Sequence, residues 1–314
     1  MNGLNENVRR RGRWTAIGLI TLGLVLCFGF SASAQDDGGW KSSGWIGYEG
    51  QGKTDLDRTG GGDFEFWNIG GGLKSTTMLG DSVAMSLQGD YRVVGYNFGG
   101  LGGDPWGTVH VFRFNPMFTY IMNEKWSLIG GPSLQISAEA GADVGDSLTG
   151  GGTAGVGYKW SDSLSIALGV VVTSQIEDDA WVQPFVIINW GITDNLALAM
   201  EGTNSRGGEI RLSYGIGDNW EVGIGAGFRR ERFRLDDDGG PKDGVGEEEA
   251  TVVNLRVAYK FSDTLALEGY GGTTVDGEFR LEDKDGDLIK IGGRKSKADY
   301  DDGGYGGVRI KFGF

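Results

Sequence analysis

Cysteine, proline and histidine are almost missing: the 314 residues contain 1 Cys, 5 Pro and a single His. One cysteine permits no internal disulfide, so stability must come from elsewhere. One histidine, His110, limits any hydrolytic dyad to a single candidate base. With 5 prolines and no three-residue period, a collagen helix is excluded even though glycine supplies 60 residues. Hydrophobic residues make up only 39% of the chain, too few for a multi-helix membrane protein. Aromatic residues, at 11%, are too frequent for a disordered chain. What remains is an all-β protein rich in glycine and aromatics, of a length that one closed β-structure can occupy.

The first 34 residues follow the order of a secretory leader. Arg9, Arg10, Arg11 and Arg13 precede an apolar stretch at 15–30, which ends in the small-residue exit Ala32-Ser33-Ala34. A spanning anchor is the poorer reading, because the stretch falls short of the ~20 residues a membrane helix needs. Residues 1–34 are therefore expected to be a signal peptide and 35–314 a single barrel domain without cysteine, since Cys27 leaves with the leader. The mature chain keeps 25 Lys and Arg against 42 Asp and Glu, a net charge of −17. That acidity argues against nucleic acid as a partner, because phosphate binding requires a basic surface.

From Trp40 onward one phrase repeats: an apolar–polar alternation, a short Asp/Asn/Ser/Gly turn, and a new alternation. Tight turns are expected at 79–83, 122–126, 159–164, 192–196, 216–220 and 261–265, with residue types that reverse a hairpin. Longer connections, richer in glycine and charge, are expected at 54–63, 97–106, 140–149, 176–180, 205–208, 236–249 and about 283–304. Thirteen connections join fourteen strands, or twelve if the first, near 43–53, finds no partner.

Alternate side chains of a strand face opposite ways. Trp220, Val222, Ile224, Ala226 and Phe228 share one face, while Glu221, Gly223, Gly225 and Gly227 take the other. Trp126, Trp160, Trp190, Trp220, Tyr259, Phe261 and Phe312 gather at the tight-turn edge, where a membrane barrel carries its aromatic girdle. The pattern predicts a transmembrane antiparallel up-and-down β-barrel with short turns on one side and longer loops on the other. Phase then places Asp90, Arg92, Arg113, Asn115, Glu201, Arg211, Glu221, Asn254, Arg256, Lys260, Glu268, Arg309 and Lys311 inward. Seven of these are basic and four acidic, which suits a wet lumen mildly favourable to anions.

The last strand, Tyr305-Gly306-Gly307-Val308-Arg309-Ile310-Lys311-Phe312-Gly313-Phe314, alternates up to a terminal phenylalanine. It resembles the C-terminal signal of Gram-negative outer-membrane β-barrel proteins, porin-like barrels that include families without assigned activity. The resemblance implies that Phe312 and Phe314 are read by the barrel assembly machinery after escort by periplasmic chaperones. It also implies residence among outer-membrane lipid and lipopolysaccharide. A passive channel for small hydrophilic solutes is the first functional expectation. A non-catalytic structural or surface-interaction barrel with a closed lumen is the second, and an outer-membrane hydrolase a distant third.

Three apparent motifs fail on context. The segment 47–54 matches a phosphate loop literally, but no helix follows it to supply the field. Gly145-Asp146-Ser147-Leu148 spells a hydrolase nucleophile block, yet His110 precedes it and lacks the usual downstream partner. Asp283, Asp285 and Asp287 resemble part of a calcium loop, but the glycine comes early and the twelfth position is Arg294. With Asp236, Asp237, Asp238, Asp243, Glu247, Glu248 and Glu249 they are read as solvated acidic loops, with recruitment of divalent cations as the alternative. No cofactor is expected.

Overall fold

The computed structural model describes residues 39–56, 62–101, 103–204, 207–237, 241–289 and 297–314, with 201–204 described by backbone alone. The leader, Cys27, Asp238, Arg294 and the side chain of Glu201 lie outside the described residues.

Fifteen strands follow one another: β1 (Lys41–Asp55), β2 (Asp63–Leu79), β3 (Val83–Gly99), β4 (Thr108–Ile121), β5 (Trp126–Glu139), β6 (Leu148–Lys159), β7 (Leu164–Gln175) and β8 (Asp178–Gly191), then β9 (Leu196–Asn204), β10 (Gly207–Ile216), β11 (Trp220–Arg234), β12 (Val245–Ser262), β13 (Leu265–Glu282), β14 (Lys297–Tyr300) and β15 (Gly303–Gly313). Each strand from β1 to β13 pairs with the next, antiparallel. β15 joins β13 to β1, running from Ser43↔Gly313 to Gln51↔Tyr305 on the β1 side, so the sheet closes on itself. β14 continues β15 along the same edge of β13, with Tyr300 opposite Gly277 and Gly303 opposite Thr274. The two are one stave broken at Asp301 and Asp302, and the barrel has fourteen.

All six tight turns form where the Asp/Asn/Ser/Gly clusters stand. Asn123 Oδ1 accepts from the amides of Lys125 and Trp126, and Thr193 Oγ1 from those of Asn195 and Leu196. Gly80 and Gly217 take left-handed φ values of 71° and 59° with open space around them, so the backbone and not crowding calls for glycine there.

Outward side chains form a continuous apolar belt. Ile46, Ile69, Leu168, Ile224, Leu255 and Val308, spread around the wall, are each between 44% and 66% exposed. Water would not tolerate a girdle of that extent; hydrocarbon does, and closure removes the unpaired edges hydrocarbon forbids. At the turn end the girdle rings pack on one another: Trp126 on Tyr158 at 4.6 Å, Trp220 on Tyr259 at 4.7 Å and Tyr259 on Phe261 at 4.9 Å.

The wall is uneven in height. β9 and β10 span 9 and 10 residues, whereas β11, β12 and β13 span 15, 18 and 18. β8 meets β9 only from Ile188↔Met200 to Gly191↔Ala197. Above this low section the loop-end extensions of β11–β13 (residues 229–234, 245–250 and 276–282) lean inward as a three-stranded tongue. Arg234 of β11 pairs in parallel with Ala138 of β5, on the far side of the barrel.

The tongue revises one expectation. Residues 236–249 were expected to form a solvated acidic loop, but β12 begins at Val245, and Glu247, Glu248 and Glu249 lie within it. Glu247 and Glu248 are buried. Charge on both faces erased the apolar alternation by which a strand is recognised, and arginines around Glu247 and the hydroxyls of Tyr96 and Tyr300 on Glu248 take the place of water.

Candidate functional site

Inside the wall, three zones follow one another from the turn end to the loop end. The first is a vestibule of about 520 Å³ lined by Lys74, Arg211, Lys260, Arg309 and Lys311, with Asp263. Beside it, Glu268 is buried and accepts from Lys311 Nζ at 2.6 Å and Arg256 Nη1 at 3.2 Å. Arg256 places its other two nitrogens on Asn254 Oδ1 at 2.8 Å and Glu209 Oε2 at 2.5 Å, which joins β10, β12 and β13 in one ladder.

The second zone is the middle of the lumen. One cavity of about 260 Å³ is bounded by Trp45, Glu49, Asp90, Arg92, Arg113 and Arg309. A neighbouring cavity of about 370 Å³ shares Arg92, Arg113 and Arg309 and adds Arg229, Glu231 and Arg256. The guanidinium of Arg309 lies over Trp45 at 4.9 Å and Tyr270 at 5.2 Å, and that of Arg229 over Phe66 at 5.2 Å. A side chamber of about 550 Å³ opens toward β4–β9 past Arg113, Asn115 and Gln135.

The third zone is the closure. On one face of the tongue, Phe233, Leu235, Ala250, Phe279 and Leu281 pack against Phe64, Phe66, Val94, Tyr96, Val109 and Val111 of β2–β4. Phe64 meets Phe279 edge-on at 4.7 Å, and Tyr96 donates to Glu248 at 2.6 Å. On the other face, Glu247 gathers three arginines: Arg230 at 2.7 Å, Arg232 at 3.2 Å and Arg280 at 3.2 Å. These reach onward to the β7–β8 connection, where Arg230 donates to Gln175 at 2.6 Å and Arg232 to the Ile176 carbonyl at 2.9 Å. Arg234 meets Glu177 at 2.5 Å and the Asp146 carbonyl at 3.1 Å. The loop-end mouth is thus filled by an apolar layer and an ionic layer with the tongue between them.

Glu139, at the loop end of β5, ties the β3–β4 connection to the tongue, accepting from the Gly107 amide at 2.6 Å and the Asp236 amide at 2.9 Å. Burial pushes its carboxyl above the usual range, and the two amide donors offset only part of that rise.

Among the remaining residues read as inward, Glu221 sits near the turn end of β11 opposite Gly215 and Ala258. The backbone of Glu201 pairs with Glu209. Phe312 and Phe314 stack at the end of β15 with ring centroids 6.2 Å apart. Sequence reasoning missed Glu49, Lys74, Glu209, Arg229 and Glu231. Glu209 is in phase with Arg211, and Glu49 with Trp45, so strict counting along the strand would have found both. Arg229 and Glu231 continue the phase of Glu221 but stand in an unbroken charged run that masks it.

The motif-like segments take ordinary places. Residues 47–54 are part of β1, and the Glu49 carboxylate pairs with Arg229 at 2.7 Å. The Ser147 hydroxyl is buried and donates to the Asp143 carbonyl at 2.5 Å. His110 alternates to the outward side of β4, where Nδ1 lies 2.7 Å from the Tyr91 hydroxyl. Among the described residues no cluster of three or more His, Cys, Asp or Glu is placed to hold a metal.

Residues 110–311 match the model of a family described as a domain of unknown function (DUF6268). The chain belongs to that family. The matched span runs from β4 into β15 and includes the whole tongue. No curated protein matches the chain. Among solved structures it is similar to an outer membrane channel from Pseudomonas putida, at 14% identity and a TM-score of 0.44, over 91% of this chain and 98% of that one. It is also similar to a FadL homologue from Pseudomonas aeruginosa, at 10% identity and a TM-score of 0.47, over 87% and 90%. A third is OmpT, an outer membrane protein of Vibrio cholerae, at 13% identity and a TM-score of 0.38, over 90% and 99%.

Proposed function

We propose that this protein is a porin-like channel of the outer membrane, a passive route for small hydrophilic solutes whose loop-end mouth is shut by the tongue in the state described. The supporting observation is the run of charged cavities from the turn-end vestibule to the underside of the tongue. A barrel that served only as a scaffold would have no need of such wet space, and unpaired charges in a dry interior would be prohibitive. The apolar belt and the girdle fit insertion into the outer membrane by the barrel assembly machinery. The plugged mouth favours a second reading, a permanently sealed structural barrel.

Planar-bilayer recording separates the two. The expected result is rare, brief openings of the purified protein with anions mildly preferred over cations, because the vestibule carries five cations against Asp263 and the adjacent Glu268. Openings with clear cation preference would contradict the charge reading. A barrel that never conducts, even when destabilised at the tongue, would leave the sealed scaffold.

A further inference from the structure

We infer that the mid-lumen cavity is a binding site for a small organic carboxylate with an apolar body, held by Arg92, Arg113 and Arg229. The site is a deepening of the channel reading, on which its role in solute passage rests, but its occupancy can be measured without any conductance.

Two other arginines of this lumen have a partner for every guanidinium nitrogen. Arg256 places Nε, Nη1 and Nη2 on Asn254, Glu268 and Glu209, and Arg232 places its three nitrogens on Ile176, Glu247 and Glu282. The three mid-lumen arginines do not. Arg113 is 6% exposed, yet its Nε and Nη2 have no hydrogen-bond partner, and the nearest carboxylate oxygen to Nε, on Asp90, stands off at 3.8 Å. Arg92 has an unpartnered Nε and meets Asp90 at 3.9 Å and Glu231 at 3.8 Å, beyond hydrogen-bond range. Arg229 gives Nη1 to Glu49 and leaves Nε and Nη2 unpartnered.

Five guanidinium nitrogens without a hydrogen-bond partner thus lie on Arg92, Arg113 and Arg229, three side chains that line the cavity of about 370 Å³ from β3, β4 and β11, beside Glu49, Glu209, Glu231 and Glu248. A buried charged donor left without an acceptor is costly, and a planar carboxylate matches the guanidinium fork better than water does. Phe66 and Tyr305 hold the Arg229 guanidinium at 5.2 and 5.6 Å, which limits its reorientation before a ligand arrives. Phe66, Val94, Tyr96, Tyr270 and Tyr305 supply an apolar wall. A solute with one charged head and a ring or branched body uses both features, and a cavity of this size lies within the range of small-molecule pockets.

The test is isothermal titration calorimetry on the folded full-length protein in detergent, with benzoate, its uncharged isostere benzamide, and inorganic phosphate. Benzoate is expected to bind at least tenfold more tightly than benzamide. Arg113→Gln and Arg229→Lys are each expected to weaken benzoate tenfold or more, the second because it keeps the charge and loses the fork. Lys125→Gln, in an exposed turn, should bind as the parent does. If Arg113→Gln loses its heat-modifiable migration, Arg229→Lys decides alone. Equal affinity for benzoate and benzamide, undiminished binding in a folded variant, or binding of phosphate without benzoate would overturn the proposal. Binding in a barrel that never conducts would keep the site and remove the channel; conductance without binding would do the reverse.

Discussion

Glu247→Ala is expected to open the loop-end mouth. Glu247 is 1% exposed and is the shared partner of Arg230, Arg232 and Arg280. Its removal leaves three neighbouring guanidinium groups, from two strands of the tongue, repelling one another in a packed layer. Breaking a buried ionic cluster from one side costs about 3–5 kcal/mol when the surviving charges are left uncompensated, and the low end, about 3 kcal/mol, applies here because Arg230 keeps Glu249, Arg232 keeps Glu282 and Arg280 keeps Glu278. If even half of that falls on the equilibrium between a docked and a released tongue, open time rises at least tenfold. The wall need not suffer, since the β-ladders below the tongue hold the barrel by themselves. Single-channel recording should show a large gain in open probability, and limited trypsin digestion should cut at the freed arginines, while heat-modifiable migration persists. Asp162→Asn, at an exposed turn paired with Lys159, is the control expected to change neither. Unchanged gating in a folded Glu247→Ala barrel would show that the apolar layer around Phe233 and Phe279 alone keeps the mouth shut.

The legible part of this fold was the part that two solvents shape. Along β7, β11 and β12 the outward residues face hydrocarbon and the inward ones a wet lumen, so the chemistry changes at every step and the period of two survives. Turns at Asn123 and Thr193 were readable because their side chains do locally what the next strand's amides need. The tongue was illegible for the same reason reversed. Arg230, Arg232 and Arg234 on one strand and Glu247 and Glu249 on the next occupy faces that meet protein on both sides, so neither hydrocarbon nor water imposed an alternation. Phase also reports a face and never a partner. It put Arg256 inward, but nothing in its neighbourhood announced that Glu209, 47 residues away, would take its Nη2. The break at Asp301 and Asp302 was concealed within a connection expected to run from about 283 to 304.

The second large effect concerns the outside of the wall. Leu255→Arg is expected to destabilise the inserted barrel by about 2–4 kcal/mol, the cost of a guanidinium facing lipid near the bilayer midplane. Leu255 is 66% exposed, sits between Ile224 of β11 and Gly271 of β13, and lies midway along the outward row of β12 from Phe261 to Thr251. No aromatic girdle or water layer is within easy reach of a side chain at that depth. The matched inward change is Gln88→Arg, in a position that borders three of the lumen cavities. There the new charge stays in water, and a shift within about 0.5 kcal/mol is expected, as for substitutions away from packed or buried sites. Urea titration of folding into liposomes measures both. The contrast between the two positions carries the inference: a soluble protein whose outer face met water would accept arginine at Leu255 more readily than at Gln88. Only hydrocarbon on the outside and water on the inside give the order expected here, and an equal response at the two sites would remove the membrane from the account of this barrel.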